Sequence, residues 1–295
     1  MSTAYLIYNP RAGRWRTPRL VDQILEILAH PEQSIEPWPT RSPGDATRLA
    51  RQAVEAGAER VYAFGGDGTL RETAAGLLGS DVLLGTIPGG TANVIPIALG
   101  LPLKPIAAAR RLRHATLLEM DVGRCGSEIF LMQASGGLDA RALHHLDPVQ
   151  KRYLGKIAVA LAGLSQWRKY DYPELELSAD GRSLSASFCA VCNIPYYGGR
   201  FRLAPAARLD DHQLHLVLFH GRGRVETLGF ARDLALGRHI ARPDVEILRV
   251  REVEFKAPPS LALQLDGDAM SSALPVTVGL AEDRLRVLAL PGAAV

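Results

Sequence analysis

The first 120 residues alternate short apolar runs with segments of helical period. "AYLIY" (4–8) reads as a strand, and "PRLVDQILEILAH" (18–30) places Leu20, Ile24, Ile27 and Leu28 on one helical face. "SPGDATRLARQAVEAG" (42–57) reads as a second helix, stopped by Gly57. "RVYAF", "LRETAAGLLG" and "DVLLGTIP" continue as strand, helix and strand. Such alternation builds a parallel sheet from βαβ units. From about Asp121 the pattern changes to short runs, "LELSAD", "SFCAVCNI", "LHLVLF" and "LRVREVEFKA", divided by Gly, Pro and Asp, with one helix near "GKIAVALAGLSQW". The expected fold class is an N-terminal α/β domain with a parallel sheet, followed by a mostly antiparallel, sandwich-like β-rich domain.

Composition fits that division. The 295 residues are 47% hydrophobic, enough for two packed cores. The uncharged stretch Val82–Leu103 is long enough to span a bilayer, but Pro88, Gly89, Gly90, Asn93 and Pro96 interrupt it, so it reads as buried strand plus loop and no transmembrane segment is expected. "MSTAYLIYNPRAG" lacks the pattern of a signal peptide. A net charge of +3 favours weak attraction to phosphate-bearing partners and lacks the dense basic face of a nucleic-acid binder. Three cysteines suit a reducing compartment, and the expected location is cytoplasmic. Cys189 and Cys192 form a lone CxxC in a strand-like run without the second pair a zinc site needs, and read as structural thiols.

The chemistry concentrates where strand "RVYAF" breaks into "GGDGT". Glycines at a strand-to-helix junction let backbone N–H groups approach phosphate oxygens without an intervening Cβ. Gly65, Gly66 and Gly68 suit that use; Asp67 would repel bare phosphate and implies a divalent cation or hydroxyl donor between them. Thr69 can cap the helix that follows. A tight glycine turn with a solvated aspartate explains this stretch equally well when it is taken alone. No GxxxxGK[ST] is present, which excludes a Walker A loop.

Further fragments occur in order: "IYNPRAGR", "PTRSPGDA", "GGDGTLRE", "TIPGGTANV", "PYYGGRFRLAPAARLDD" and "QLDGDA". Together they resemble the diacylglycerol kinase catalytic-domain superfamily over nearly the whole chain, above all the bacterial lipid kinases and more distantly sphingosine and ceramide kinases. The resemblance implies a nucleotide-binding α/β domain at 1–121 with a returning segment at 284–295, and a lipid-binding domain at 122–283, with the glycine loop facing Asp268 across a cleft. It implies ATP and Mg²⁺ as cofactors, and transfer of the γ-phosphoryl group to a lipid hydroxyl, with the lipid met at a membrane surface. Nucleotide is expected on Asn9, Thr40, Gly65, Gly66, Asp67, Gly68, Thr69, Leu70, Arg71 and Thr91. Arg11 and Arg14 lie beside these loops as further phosphate contacts. Asn9 and Glu72 are expected to shape loops through hydrogen bonds.

Asp268 stands where the family usually carries a glutamate that accepts the substrate proton, so DGE becomes DGD and the carboxylate is one methylene shorter. Asp266 and Asp67 complete the expected catalytic carboxylates, and Asp121 matches another acidic family position. For Asp266–Asp268 an ordinary D-G hairpin turn remains the alternative. A structural Mg²⁺ is implied on Asp211 with the carbonyls of Arg208 and Gln213, although His212 replaces the glycine common there. Many relatives have aspartate after the Asn of "GTxN", where this chain has Val94. Diacylglycerol or a related long-chain alcohol is the expected acceptor. Its apolar entrance is expected from 153–167 with Tyr196, Tyr197 and Phe201, and Lys151, Arg152 and Lys156 are placed at anionic headgroups. Two other readings stay open: a kinase of a soluble nucleotide resembling NAD kinases, and a nucleotide-binding regulatory protein with weak turnover. A homodimer is an open assembly.

Overall fold

A computed structural model describes residues 2–12, 18–30, 33–146, 156–258, 261–270 and 273–294. Arg14, Lys151, Arg152, Tyr153 and the side chain of Lys156 lie outside the described residues. The chain divides into two compact units, 1–122 with 282–295, and 123–281.

The first unit runs β1 (Ser2–Tyr8), α1 (Pro18–Leu28), β2 (Gln33–Pro39), α2 (Asp45–Glu55), β3 (Arg60–Gly65), α3 (Asp67–Leu77), β4 (Leu83–Pro88), α4 (Val94–Ala98), α5 (Pro105–Leu112) and β5 (Thr116–Met120). A six-stranded sheet has the order β2, β1, β3, β4, the C-terminal strand Leu285–Ala289, β5. All neighbours are parallel except the last pair. Val61, Tyr62, Ala63 and Phe64 are all buried because helices cover both faces of the central strands, which is why that run is continuously apolar. β2 alternates in exposure and carries Pro37 and Pro39, which an edge strand tolerates because one side needs no ladder donors. Leu20, Ile24 and Leu28 bury one face of α1. Between α2 and α3, a Cβ on Gly76 would stand 2.5 Å from both Ala50 Cβ and Thr47 O, so the helices cross on bare backbone there.

The second unit begins with β6 (Gly123–Cys125), β7 (Glu128–Phe130), β8 (Gln133–Gly136), α6 (Leu138–His144) and α7 (Lys156–Trp167). There follow β9 (Leu175–Ala179), β10 (Arg182–Ala186), β11 (Phe188–Cys192), β12 (Tyr196–Tyr197), β13 (Phe201–Arg202), β14 (Leu214–Phe219) and α8 (Arg224–Ala235). Last come β15 (Val245–Val250), β16 (Glu252–Ala257), β17 (Leu263–Leu265), β18 (Asp268–Met270) and β19 (Val276–Leu280). One sheet has the order β10-β9-β16-β19-β6-β7 and the other β15-β14-β11-β8-β17-β18, and their strands pair antiparallel. Their facing sides share one core that includes Leu177, Val253, Phe255, Val191, Leu216 and Leu265. On the outer face of the second sheet, Ala190, Cys192, Val217 and Phe219 pack under Phe230 of α8.

Two sequence expectations change here. The run "LRVREVEFKA" is two strands in different sheets, divided at Arg251, whose amide donates to the Asp180 carboxylate. The β-rich unit also holds α6 and α8 besides the expected helix. Cys189 and Cys192 lie on opposite faces of β11, and burial raises both thiols above their ordinary range, so they are inert packing groups.

Gly76→Ala normally gains roughly 1 kcal/mol of helix propensity. Here the added methyl meets backbone of α2, and a loss of about 1–3 kcal/mol is expected from overpacking. Urea denaturation followed by circular dichroism checks the sign.

Candidate active site

Four adjacent strands of the first unit, β2, β1, β3 and β4, end together. Tyr8 is in register with Pro39 on one side and Phe64 on the other, and Gly65 with Pro88. Asn9, Thr40, Gly66 and Gly89–Thr91 therefore leave the same carboxyl edge, where open α/β sheets bind ligands. Each loop is braced. The Thr40 amide donates to Tyr8 O at 2.8 Å, and the Arg41 amide to Asp45 Oδ2 at 2.9 Å. Hydrogen bonds from Arg48 and from that amide hold the Asp45 carboxyl below its usual range. Asn9 Oδ1 accepts the Arg11 amide at 2.9 Å. Glu72 reaches back to α2, where its Oε2 accepts the Ala46 amide at 3.3 Å, so it caps a helix start.

The two glycine loops meet backbone to backbone. Gly89 N donates to Gly65 O at 2.7 Å, and a Cβ on Gly90 would stand 2.4 Å from Gly66 Cα. Gly66 itself is extended (φ −88°) and a Cβ on it would stand 3.3 Å from Gly90 Cα, a tight contact, so the strict demand for glycine falls on Gly90. Asp67 opens α3, and its Oδ1 accepts the Ile95 amide at 3.2 Å, tying this loop to α4. Asn93, at φ 52°, folds its side chain back on Gly90, accepting its amide at 2.8 Å and donating to its carbonyl at 3.0 Å. α3 leaves its first amides, Asp67 to Thr69, outside the helical ladder, while Leu70 N bonds Gly66 O at 3.1 Å. Thr91 is exposed, and Gly68, Thr69 and Arg71 are partly exposed. Leu70 departs from the expectation: its side chain is 0% exposed and its amide is spent in α3, because at the fourth helical position it faces the core. Val94 is likewise buried. Asp121 is buried and accepts from Arg284 Nε at 3.0 Å.

In the second unit, Asp266 and Gly267 have φ of 54° and 86° and join β17 to β18, with Leu265 opposite Asp268. That is the two-residue hairpin the D-G pair allows. It is also a fixed mount. The Asp266 carboxylate accepts three backbone amides, from Leu131 at 2.7 Å, Met132 at 2.8 Å and Gln133 at 3.0 Å, so its role is to hold the turn. Asp268 follows, partly exposed, at the start of β18.

A polar chain missed in the sequence stands behind this hairpin. Gly267 N donates to Gln264 Oε1 at 2.6 Å, Gln264 Nε2 to Ser135 Oγ at 2.6 Å, and Ser135 Oγ to Asp139 Oδ2. Tyr197 OH donates to the same oxygen at 2.9 Å. Burial raises the Asp139 carboxyl above its ordinary range, against the lowering effect of these donors, and burial beside Asp139 also raises the Tyr197 phenol. The available signal was slight: one acid at a helix start after "SGG". Tyr197, expected at an apolar entrance, spends its hydroxyl here; Phe201 is exposed.

The loop before β14 gathers oxygens. Asp211 Oδ1 accepts the Gln213 amide at 3.3 Å, and its Oδ2 lies 3.4 Å from His215 Nε2. Gln213 Oε1 is buried without a hydrogen-bond partner, and Asp210 Oδ1, also without one, lies 3.7 Å from Arg208 Nε as an ion pair. Hard-oxygen donors with orphaned acceptors among them fit Mg²⁺ or Ca²⁺. His212 sits at φ 56°, the conformation that favours glycine, and is exposed while His215 is buried, so the two histidines do not converge. Among the described residues no group of three His, Cys, Asp or Glu side chains could hold a metal, so any ion here would depend on carbonyl and amide oxygens.

Residues 3–125 match the family model described as diacylglycerol kinase catalytic domain, and 132–289 the one described as YegS C-terminal NAD kinase beta sandwich-like domain. A "probable lipid kinase YegS-like" of Chromohalobacter salexigens is 36% identical over 76% of this chain and 74% of its own length. The chain belongs to the diacylglycerol kinase catalytic-domain superfamily. A "diacylglycerol kinase" of Bacillus subtilis is 28% identical over 91% of this chain and 90% of its own. The crystal structure titled as a diacylglycerol kinase of Bacillus anthracis superposes with a TM-score of 0.80 at 23% identity, covering 98% of each chain, a likeness of fold. The NAD kinase relation of the sandwich is likewise one of fold.

Because the folded pKa of Asp139 is raised, the stabilisation from its protonation is fully present below the unfolded value of about 3.9 and is lost as pH rises through the folded value. Asp139→Asn removes that dependence. Unfolding midpoints of parent and variant, measured at a series of pH values, should diverge in the variant's favour as pH climbs through this window and run parallel above it.

Proposed function

We propose that this protein transfers the γ-phosphoryl group of ATP to a hydroxyl of a lipid, diacylglycerol or a related long-chain alcohol. The observation that carries the reading is the braced carboxyl edge of the first unit. There the amide-rich start of α3 and the apposed Gly66 and Gly90 loops form a phosphate cradle in a chain whose family and named relatives are lipid kinases. Gly66, Gly68, Thr69 and Thr91 bind phosphate in this reading, with Asn9 and Thr40 on the neighbouring loops. Leu70 contributes only to the core. Mg²⁺ would supply charge neutralisation between phosphate oxygens, with Asp67 the nearest carboxylate in the cradle. Asp211, with the carbonyls of Arg208 and Gln213, would hold a second, structural cation.

Asp268 is the proton acceptor for the attacking hydroxyl, and Asp266 positions it through the Leu131–Gln133 amides. Labelled ATP, Mg²⁺ and a total lipid extract should yield a labelled phospholipid, whereas label on NAD with none on lipid would move the assignment to a soluble acceptor.

Asp268→Asn keeps size and removes basicity. Turnover should fall roughly 10²–10⁴-fold with ATP affinity near the parent's, and Asp268→Glu should retain much more activity than Asp268→Asn. Parent-like turnover by Asp268→Asn would exclude it as the base.

Gly90→Ala drives a methyl into Gly66 and should weaken ATP binding about tenfold or more by calorimetry while the protein stays folded. Unchanged affinity would reduce the two loops to turns.

A further inference from the structure

Strand β17 carries different side chains on its two faces. Leu263 and Leu265 enter the core shared by the sheets, and Gln264 between them points to the other face, where it is 1% exposed. The register of β17 with β8 sets it directly opposite Ser135, which is 0% exposed. α6 packs here, since His144 Nε2 lies 2.9 Å from Leu263 O, and Asp139 stands in the first turn of that helix. An apolar pair would fill this space at lower cost, because buried polar atoms are tolerated only when each is matched.

The hydrogen bonds run in one direction. A backbone N–H can only donate, so the Gly267 amide fixes which end of the Gln264 amide it meets, Oε1 at 2.6 Å. Nε2 is then turned to Ser135 Oγ at 2.6 Å, and that hydroxyl directs its own hydrogen to Asp139 Oδ2. Tyr197 OH donates to the same oxygen at 2.9 Å, and the Ala140 amide to Oδ1 at 2.6 Å. Asp139 is thus the common acceptor at one end, and bonds of a single polarity strengthen one another along the chain. At the other end is Gly267, one residue before Asp268. A Cβ on Gly267 would meet nothing within 4 Å, so packing does not hold this side of the turn; hydrogen bonds do.

We propose that Gln264 is a positioning residue for Asp268, kept in its working orientation by Ser135 and Asp139. The proposal deepens the phosphotransfer reading and rests on it. Asp266 grips the Leu131–Gln133 amides and Gln264 grips Gly267, so both members of the two-residue turn are held. A proton acceptor mounted on such a turn is located by the turn alone, and a displacement of about 1 Å costs on the order of 10²-fold in rate.

The test follows transfer from labelled ATP, with Mg²⁺, to a short-chain diacylglycerol. Gln264→Met keeps the length and removes both hydrogen bonds: turnover should fall roughly 10–100-fold with the KM for ATP within about twofold of the parent's. In an Asp268→Asn background the same substitution should cost less than about threefold, because no base is left to place. Gln264→Glu reads the polarity of the chain. A protonated carboxyl accepts from Gly267 and donates to Ser135 as the amide does, whereas a carboxylate cannot donate. Its turnover relative to the parent at the same pH should therefore rise at least about fivefold between about pH 8 and about pH 6, with the Gln264→Met ratio level. Asp139, His144, Tyr197, Asp266 and Asp268, the titratable groups around this site, are common to both proteins.

Parent-like turnover by folded Gln264→Met overturns the proposal, as do equal losses in the two backgrounds or a Gln264→Glu ratio that stays level with pH. Should Gln264→Met not fold, Ser135→Ala, which leaves Gln264 facing Gly267 without its anchor, carries the same cycle. Exchange of the Gly267 amide hydrogen, read without substrate, should quicken at least about tenfold in the variant, and unchanged exchange overturns the tether itself. A parent that labels neither this lipid nor a total lipid extract, while exchange quickens in the variant, would remove the phosphotransfer reading and leave the tether standing.

Discussion

Two strands of bare backbone, Gly65–Gly66 and Gly89–Gly90, approach closely enough that a single methyl at Gly90 would stand 2.4 Å from Gly66 Cα. The rest of the first unit is arranged around that approach. Parallel pairing of β3 with β4 brings the loops side by side, and the Gly89 amide locks them at Gly65 O. Asn93 then holds the second loop in its turn, and Asp67 crosses from the first loop to the start of α4. With side chains used as braces behind the loops, backbone amides are left to face the edge where a phosphate would sit. The glycines and the polar residues between them are thus one device.

The second unit solves a different problem, the fixing of one hairpin turn. A D-G hairpin is the shortest way to turn a strand, and Asp266 and Gly267 both take the positive φ it needs. Turn and site are therefore not competing explanations of the same residues. Asp266 is buried because its two oxygens satisfy three consecutive amides, which costs far less than burying an unpaired charge. Asp268, two positions on, keeps partial exposure. Identical side chains two positions apart receive different work because one faces a row of backbone donors.

Much of this was legible in the chain, and the exceptions share a cause. The βαβ rhythm could be read because Val61–Phe64 and Leu84–Ile87 are buried on both sides, which leaves uninterrupted apolar runs. The loops could be read because their fragments follow one another in the order the family carries them, whereas the glycine turn taken alone has an ordinary explanation. α8 was missed because its exposed stripe of Val225, Leu228 and Leu236 blurs the helical period that Phe230 and Leu234 set. The run from 248 to 257 reads as continuous because crossing from one sheet to the other at Arg251 changes hydrogen-bond partners without changing hydropathy. Leu70 was placed at the ligand because it sits within a motif, although helical geometry turns it inward. The Asp139 chain draws one residue each from β8, α6, β12 and β17, a convergence that no local spacing encodes.

That chain bears on the one departure from the family pattern at the reacting end. A shorter carboxylate at 268 could be offset if its hairpin were free to advance. It is not free: Asp266 fixes the turn on the Leu131–Gln133 amides, and Gly267 is tied through Gln264 and Ser135 to Asp139. Moving the hairpin forward would break several buried hydrogen bonds at about 1–3 kcal/mol each. The missing methylene is therefore not recovered within the sandwich. In the proposed reaction it passes to the acceptor, whose hydroxyl must come closer to the hairpin backbone than it would to a glutamate.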